Sequence, residues 1–308
     1  MGTLWQDMQY AARTLVRKPA FGVFAVLTLS LGIGANTAIF SMVNAVLLRP
    51  LALREPQRIV SIWETRGDAD KLPISIPEFL DLRAQNRSFS QMAALANWNA
   101  NLSGEQTPER VQGMQASGEF FLTLGVQAAI GRTLLPGDAQ PGSPRTVVLS
   151  YGFWSRHYGG DRAIVGKVIR LNGDSYTVVG VLPLTFVYRQ NQDDIVAPLV
   201  FENDARREHR SNNFLRTFGR LKQGVSKEQA REDLLGTIGE LRRRYPQDNA
   251  AQTGVWVEEL QTALVGNVRR SLMLLLGAVL AVLLIACANL AGLFLVRAHP
   301  CIDFRNRN

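Results

Sequence analysis

The chain has 308 residues, of which 46% are hydrophobic, and it carries 34 Lys and Arg against 26 Asp and Glu, a formal charge of +8. The charge is unevenly placed, for Asp, Glu, Lys and Arg are all missing from Pro19 to Leu48 and again from Ser271 to Val296. About 20 apolar residues suffice to cross a bilayer, so on sequence grounds this pattern excludes an ordinary soluble enzyme and a disordered chain. The basic balance comes with no nucleic-acid-binding motif, which leaves arginine-flanked membrane segments and a solvated domain as its reading and excludes nucleic acid as a partner.

Residues 1–18 have one apolar face, Leu4, Trp5, Met8, Ala11, Ala12, Leu15 and Val16, opposite Gln6, Asp7, Gln9, Arg13, Arg17 and Lys18. Steps of three and four predict an amphipathic helix lying in the membrane interface. A helix packed on a cytosolic partner and a cleaved signal peptide are the alternatives. Residues 19–48 then predict a first transmembrane helix, and 271–296 a second. In the first, Ser30, Gly34 and Ala38 recur every four residues; in the second, Gly277, Ala281, Ala288 and Gly292 do the same work. Such small-residue stripes let helices approach closely. Asn36, Asn44 and Asn289 predict interhelical hydrogen bonds in preference to a substrate path. Two helices bury these stripes poorly, so further helices from this or another chain are expected.

Residues 49–270 predict a mixed domain. Arg58–Glu64 reads as a strand, Pro77–Ala94 as a helix, and Leu95–Leu102 as a returning strand. Toward the other end Phe214–Leu221 alternates as a strand. Ser226 and Gln229 then form a capping box for a helix reaching Tyr245, and Gly254–Leu260 alternates again. Two β-α-β units bracketing a domain are the pattern of a ferredoxin-like split fold. Between them, Lys167–Leu171 and Ser175–Leu182 flank Asn172-Gly173, a type I′ hairpin signal. With Arg110–Ala116, Thr146–Ser150 and Ile195–Leu199 they predict an inserted, mostly β subdomain. The fold class is thus an α+β membrane protein, two transmembrane helices flanking a porter-like split β-α-β subdomain with a β-rich insertion.

No catalytic constellation accompanies this layout. His157, His209 and His299 are the only histidines and none has a second ligand at helical spacing, so a metal site is unsupported. Gly160–Lys167 mimics a phosphate loop, but its glycines are wrongly spaced and Val168 stands where Ser or Thr would meet magnesium. Gly32, Gly34 and Thr37 resemble a dinucleotide fingerprint only in part. Asp193-Asp194 and Glu258-Glu259 read as solvated surface carboxylates. Cys287 and Cys301 leave the middle domain without cysteine and so without a disulfide framework. The expectation is a chain that is not an enzyme and holds no cofactor.

Three long stretches carry a family resemblance: DMQYAARTLVRKPAFGVFAVLTLSLGIGANTAIFSMVNAVLLRPL (Asp7–Leu51), VVLSYGFWSRHYGGDRAIVGKVIRLNGDSYTVVGVLP (Val147–Pro183) and LLLGAVLAVLLIACANLAGLFLVRA (Leu274–Ala298). They resemble MacB/FtsX-type ABC transporter permeases, and more closely the duplicated orphan permeases abundant in acidobacteria. The resemblance covers Leu4–Ala298. It implies a bacterial inner-membrane protein with both termini in the cytoplasm and residues 49–270 as a MacB-like periplasmic core domain. Flanking charges alone do not orient it, since Arg13, Arg17, Lys18 and Arg297 on one side face Arg49, Arg54, Arg58, Arg269 and Arg270 on the other.

The resemblance further implies a permease subunit that works with a separate ABC ATPase, which would bind the ATP. The subunit would pair with a second copy or another permease, with periplasmic or outer-membrane partners, for export or envelope remodelling. A non-transporting signalling or scaffold protein is the alternative. The match stops at Arg297-Ala298, and residues 297–308 resemble neither the basic coupling segment nor the further spans of the family. The expectation is a truncated permease, with a short variant or an inactive gene fragment as alternatives.

Overall fold

A computed structural model describes residues 19–43, 53–67, 70–103, 108–186, 193–248 and 252–298. The predicted interfacial helix at 1–18, Asn44 and the residues beyond 298 lie outside the described residues. The chain divides into two compact units, Pro50–Leu264 and the remainder.

The α/β unit begins with β1 (Ile59–Arg66), β2 (Asp70–Leu72), α2 (Ile76–Gln85) and β3 (Phe89–Ser103), and ends with β10 (Arg216–Leu221), α5 (Lys227–Arg244) and β11 (Gly254–Glu259). These strands lie in the order β11-β1-β10-β3, every pair antiparallel. Numbered among themselves, that is the 4-1-3-2 order of a split β-α-β fold. Period-2 alternation sends Val60 and Ile62 of β1 into one core with Phe79 and Leu82 of α2 and Leu234 and Ile238 of α5. Ile59 of the same strand enters a second core on the other face, with Ala93 and Leu95 of β3 and Phe218 of β10.

The capping box is formed: Ser226 Oγ accepts from Gln229 N at 3.2 Å while Gln229 Oε1 accepts from Ser226 N at 2.9 Å. The predicted helix over Pro77–Ala94 is corrected. It ends at Gln85, and Phe89 already starts β3. Asn86 adopts an extended backbone, donates to Arg83 O at 2.7 Å and accepts from Phe89 N at 3.1 Å. Asp233 of α5 then receives the N–H groups of Arg87 and Ser88 at 2.7 and 3.0 Å. Ala93 and Ala94 favour helix by intrinsic propensity, but both are fully buried between strand neighbours and long-range pairing prevails.

The insertion comprises β4 (Glu109–Ala116), the short helix α3 (Phe120–Leu124), β5 (Ile130–Gly131), β6 (Thr146–Leu149), α4 (Tyr151–Tyr158), β7 (Val168–Leu171), β8 (Asp174–Val181) and β9 (Ile195–Pro198). Asn172 and Gly173 have φ of 54° and 87°, the two left-handed residues that a type I′ turn requires. The insertion does not form a separate sheet, because β3 pairs with β10 over Phe89–Leu95 and with β4 over Leu95–Leu102. One 11-stranded sheet therefore runs through both halves.

The helical unit contains α1 (Pro19–Val43), 25 residues without a charge. The helix α6 (Leu260–Ala298) has 39 residues and starts well before the predicted span, directly after β11, so Leu260 is helical and not the end of the strand. Counting only residues that are described, which for side chains in α1 means Val23, Leu27 and 30–41, no helix is long and apolar enough to cross a membrane.

Candidate functional site: the Arg58–Arg220 clamp

Residues 53–58 lead into β1. Their attachment to the α/β unit is built by two arginines that lie next to each other in the register, since Ile59 pairs with Arg220. Arg58 donates Nε and Nη2 to the carbonyl of Leu221, at 3.1 and 2.8 Å, closing the end of β10. Arg220, only 8% exposed, reaches the other way, from Nη2 to the carbonyl of Arg54 at 2.8 Å and from Nε to the carbonyl of Thr123 in α3 at 2.9 Å. One guanidinium thereby ties the leading segment, the split fold and the insertion together. Its planar fork suits this task, as an ammonium offers no comparable pair of directed donors.

Two neighbouring guanidinium groups repel, and burial followed by the charge of Arg58 pushes the pKa of Arg220 down. Glu55 offsets this, with Oε2 at 2.8 Å from Arg58 Nη1 and 3.6 Å from Arg220 Nη1. Glu55 holds a left-handed backbone, φ 48° and ψ 60°, where it caps the turn Pro56–Arg58. Gly125 ends α3 with φ 69°, and a Cβ there would stand 2.7 Å from the Cβ of Arg54. The close passage of the leading segment over α3 needs that glycine.

Beneath the clamp, Leu53, Leu260 and Leu264 pack on the second core, so the segment before β1 and the start of α6 rest on the same apolar floor. Its aromatic part is an edge-on series, Phe120 to Phe121 at 5.2 Å, Phe120 to Phe218 at 5.9 Å and Phe121 to Phe186 at 5.9 Å. Sequence reasoning counted Arg54 and Arg58 only as flanking charges and passed over Arg220. The available signal was alternation: in RTFGRL the second Arg falls on the buried face with Phe218, which a solvated arginine would avoid.

In the helical unit the predicted stripe residues Ser30, Gly34 and Ala38 are exposed, as are Gly277, Ala281, Ala288 and Gly292, and among the described residues nothing beyond the helix's own neighbouring backbone lies within 4 Å of a Cβ built at Gly34, Gly277 or Gly292. The two helices meet two residues over, on the opposite face of α1. Gly32 is buried, a Cβ there would lie 3.0 Å from Leu283 Cδ1, and Asn36 donates to Gly32 O at 2.9 Å and to Val279 O at 3.5 Å. Asn289 is exposed.

Asp193, read from the sequence as a solvated surface carboxylate, is buried, and several other candidate groups are engaged in structural pairs. His157 stacks on Phe153 at 4.6 Å and meets Glu109 at 2.9 Å. In the glycine-rich loop Asp161 caps a short turn and meets Lys167 at 3.2 Å. Asp194 meets Arg156 at 2.9 Å, Glu258 meets Lys71 at 2.8 Å and Glu259 meets Lys227 at 3.7 Å. A cleft of about 300 Å³ is lined by Asp138, Arg145, Tyr176 and Asp204 among others, but its charges are already paired, with Arg132, Asp174 and Arg206. Among the described residues no three His, Cys, Asp or Glu side chains converge as a metal would require.

A split β-α-β fold whose sheet is continued by a β insertion defines the class of domain. Residues 23–236 match the MacB-like periplasmic core domain family, and the chain belongs to it. The fold is shared with a domain of a protein named as a permease from Porphyromonas gingivalis, at 19% identity and TM-score 0.52, covering 68% of this chain and 93% of that one. It is shared also with the periplasmic region of MacB from Actinobacillus actinomycetemcomitans, at 13% identity and TM-score 0.50, covering 70% and 94%. No curated protein matches the chain.

Proposed function

We propose that the chain is a permease subunit of a MacB/FtsX-like ABC transporter in the bacterial inner membrane. In this reading α1 and α6 are membrane spans, the α/β unit stands in the periplasm, and a separate ATPase binds the nucleotide and moves that unit for export or envelope remodelling. The observation that carries it is the contrast between the two units. The α/β unit closes most of its apolar side chains into cores and leaves only scattered ones such as Val168 and Leu184 exposed, whereas on the two helices exposed apolar residues are the rule, with Leu31, Leu274 and Leu284 at 78%, 71% and 70%. Contiguous apolar surface of that kind needs lipid or other helices to cover it. The exposed stripes through Gly34 and Gly277 supply the face on which helices of a second copy or another permease would pack. The clamp gives the reading a mechanical basis, because a displacement of residues 53–58 is passed through Arg220 to both halves of the sheet.

Purification of the tagged chain from its native membranes tests the assignment. The reading predicts that the chain stays in the membrane fraction after a carbonate wash and is released only by detergent, while Mg-ATP leaves the melting temperature of the isolated chain unchanged, the nucleotide being bound by the separate subunit. Saturable stabilisation of the isolated chain by Mg-ATP, or release of the chain by carbonate, contradicts it.

A further inference from the structure

The strands of the insertion close into a ring with the second half of β3. β3 pairs with β4, β4 with β9, β9 with β6, β6 with β8 and β8 with β7, and β7 returns to β3 at Leu102 and Ser103. Six strands thus form a barrel around a third core, to which Val111, Val147, Leu171, Tyr176 and Ile195 belong. Register puts one mouth of the barrel where β4 and β9 end and β6 and β8 begin, since Ala116 lies opposite Pro198 and Thr146 opposite Thr177.

The cleft of about 300 Å³ lies at that mouth. Two inward-facing rows finish there in polar groups: Val111, Gly113 and Gln115 of β4 end in a carboxamide, and Val178 and Tyr176 of β8 end in a phenol. Tyr176 is only 9% exposed and its ring is held 5.8 Å from that of Trp98. Its hydroxyl nevertheless has no hydrogen-bond partner among the described residues, and neither have the side-chain amides of Gln115 and Asn203, which line the same cleft. The charged lining groups are compensated, Asp138 by Arg132, Asp204 by Arg206 and Arg145 by Asp174. A phosphate would therefore meet no uncompensated cation. A sugar would meet no open ring face, because Tyr176 is the one aromatic residue among the described lining and its ring is buried. What remains is a neutral site with two carboxamides, each a donor and an acceptor as a peptide group is, between apolar walls at Pro144 and Leu199.

We infer that the barrel mouth binds a short, uncharged stretch of polypeptide, whose backbone N–H and C=O groups pair with Gln115, Asn203 and the Tyr176 hydroxyl while one apolar side chain lies against Pro144 and Leu199. Barrel mouths with a few convergent polar groups are common ligand sites, and a volume near the lower end of their range takes a short segment and not a folded partner. The wall at Leu199 belongs to the strand end that leads back toward the split fold, and Leu199 itself packs in the core of Phe79 and Leu234. A bound peptide therefore lies across the joint between the barrel and the split fold. The site stands apart from the transport reading, since neither carbonate extraction nor nucleotide binding bears on it.

The test is saturation-transfer NMR on the full chain in deuterated detergent, with protein-free micelles as the blank. The probes are N-acetyl-dialanine methylamide for a neutral peptide, N-acetylglucosamine for a sugar and methyl phosphate for an anion. The peptide is expected to give a saturable signal and the other two none. Tyr176→Phe keeps the buried ring and removes only the hydroxyl, and it should weaken peptide binding about fivefold, the loss of one net hydrogen bond. Asn203→Ala, on an exposed side chain, should do the same and decides the matter if Tyr176→Phe lowers the melting temperature. Glu240→Ala, exposed on α5, should leave binding unchanged. No saturable peptide signal, an equal signal from the micelles, unaltered binding in the folded variants, or saturation by the sugar or the phosphate in place of the peptide overturns the inference.

Discussion

Arg58 and Arg220 hold the β1–β10 junction from opposite directions: Arg58 grips the carbonyl that ends β10, and Arg220 grips the carbonyl of Arg54 ahead of β1. Removing Arg220 leaves the carbonyls of Arg54 and Thr123 without their charged donor. Hydrogen bonds to charged groups are worth roughly 1.5–3 kcal/mol each in such settings, so Arg220→Ala is expected to cost about 2–4 kcal/mol of unfolding free energy in urea titrations of the full chain. Arg220→Lys should restore less than half of it. In a double-mutant cycle with Arg58→Ala the combined loss should exceed the sum of the single losses, because each single removal also relieves the repulsion between the two guanidinium groups and that relief is gained only once.

Gly125 makes the approach of the leading segment possible. Gly125→Ala forces a side chain into φ 69° and against Arg54, for which about 1–3 kcal/mol of destabilisation is expected. Gly137→Ala is the matched control, since its Cβ would meet open space, and it should change stability by no more than about 0.5 kcal/mol. Parallel urea titrations distinguish the two.

Between pH 5 and 8 the stability of the α/β unit is expected to fall as pH rises. The sign follows from Glu78, whose pKa burial and then the charge of Glu64 raise on folding from 4.5 to about 8, so the folded state holds a proton that the unfolded state has lost. Its contribution is complete at low pH and is lost progressively up to about pH 8, with the slope of one linked proton. Asp138 and Asp204 have lowered values, the first opposed by burial but held down by Arg132 and the second by Arg206, so they act in the opposite sense and only in acid. Unfolding free energies measured at unit pH intervals check this, and Glu78→Gln should flatten the slope.

How much of this could be read from the chain depended on how far each signal had to reach. The Ser226–Gln229 box and the Asn172-Gly173 turn are settled within four residues, and both were legible. The start of β3 was not, because FSQMAALAN has the composition of a helix and its strand character comes from β10, well over a hundred residues away. The clamp was hidden for another reason. Its acceptors are main-chain carbonyls, which leave no side-chain motif, and Arg58 and Arg220 become neighbours only through register. Glu64 did leave a trace, as the alternation Val60, Ile62, Glu64 places a carboxylate on the core face, but Glu78, also buried, sits in a helix first turn where an acid is expected for capping and excites no attention.

The contact between α1 and α6 gives a prediction of register. With Cys287 and Cys301 replaced by serine, Gly32→Cys together with Leu283→Cys should cross-link on oxidation, whereas Gly34→Cys with Leu283→Cys should not, because no described residue of the other helix lies within 4 Å of a Cβ at Gly34. Cleavage within the α/β unit followed by non-reducing electrophoresis separates the outcomes. Cross-linking of the Gly34 pair without the Gly32 pair would place the small-residue stripe, and not Gly32, at the helix contact, and equal cross-linking of both would remove the register.

The central claim, that two spans hold the α/β unit outside the cytoplasm, is tested most directly by thiol accessibility. In the same cysteine-free background, Ser175→Cys lies exposed beside the β7–β8 hairpin turn, and Gln6→Cys precedes α1. In intact spheroplasts treated with a membrane-impermeant maleimide, Ser175→Cys should be labelled and Gln6→Cys should be labelled only after the membrane is permeabilised. Labelling of both without permeabilisation, or of Gln6→Cys alone, would contradict the account.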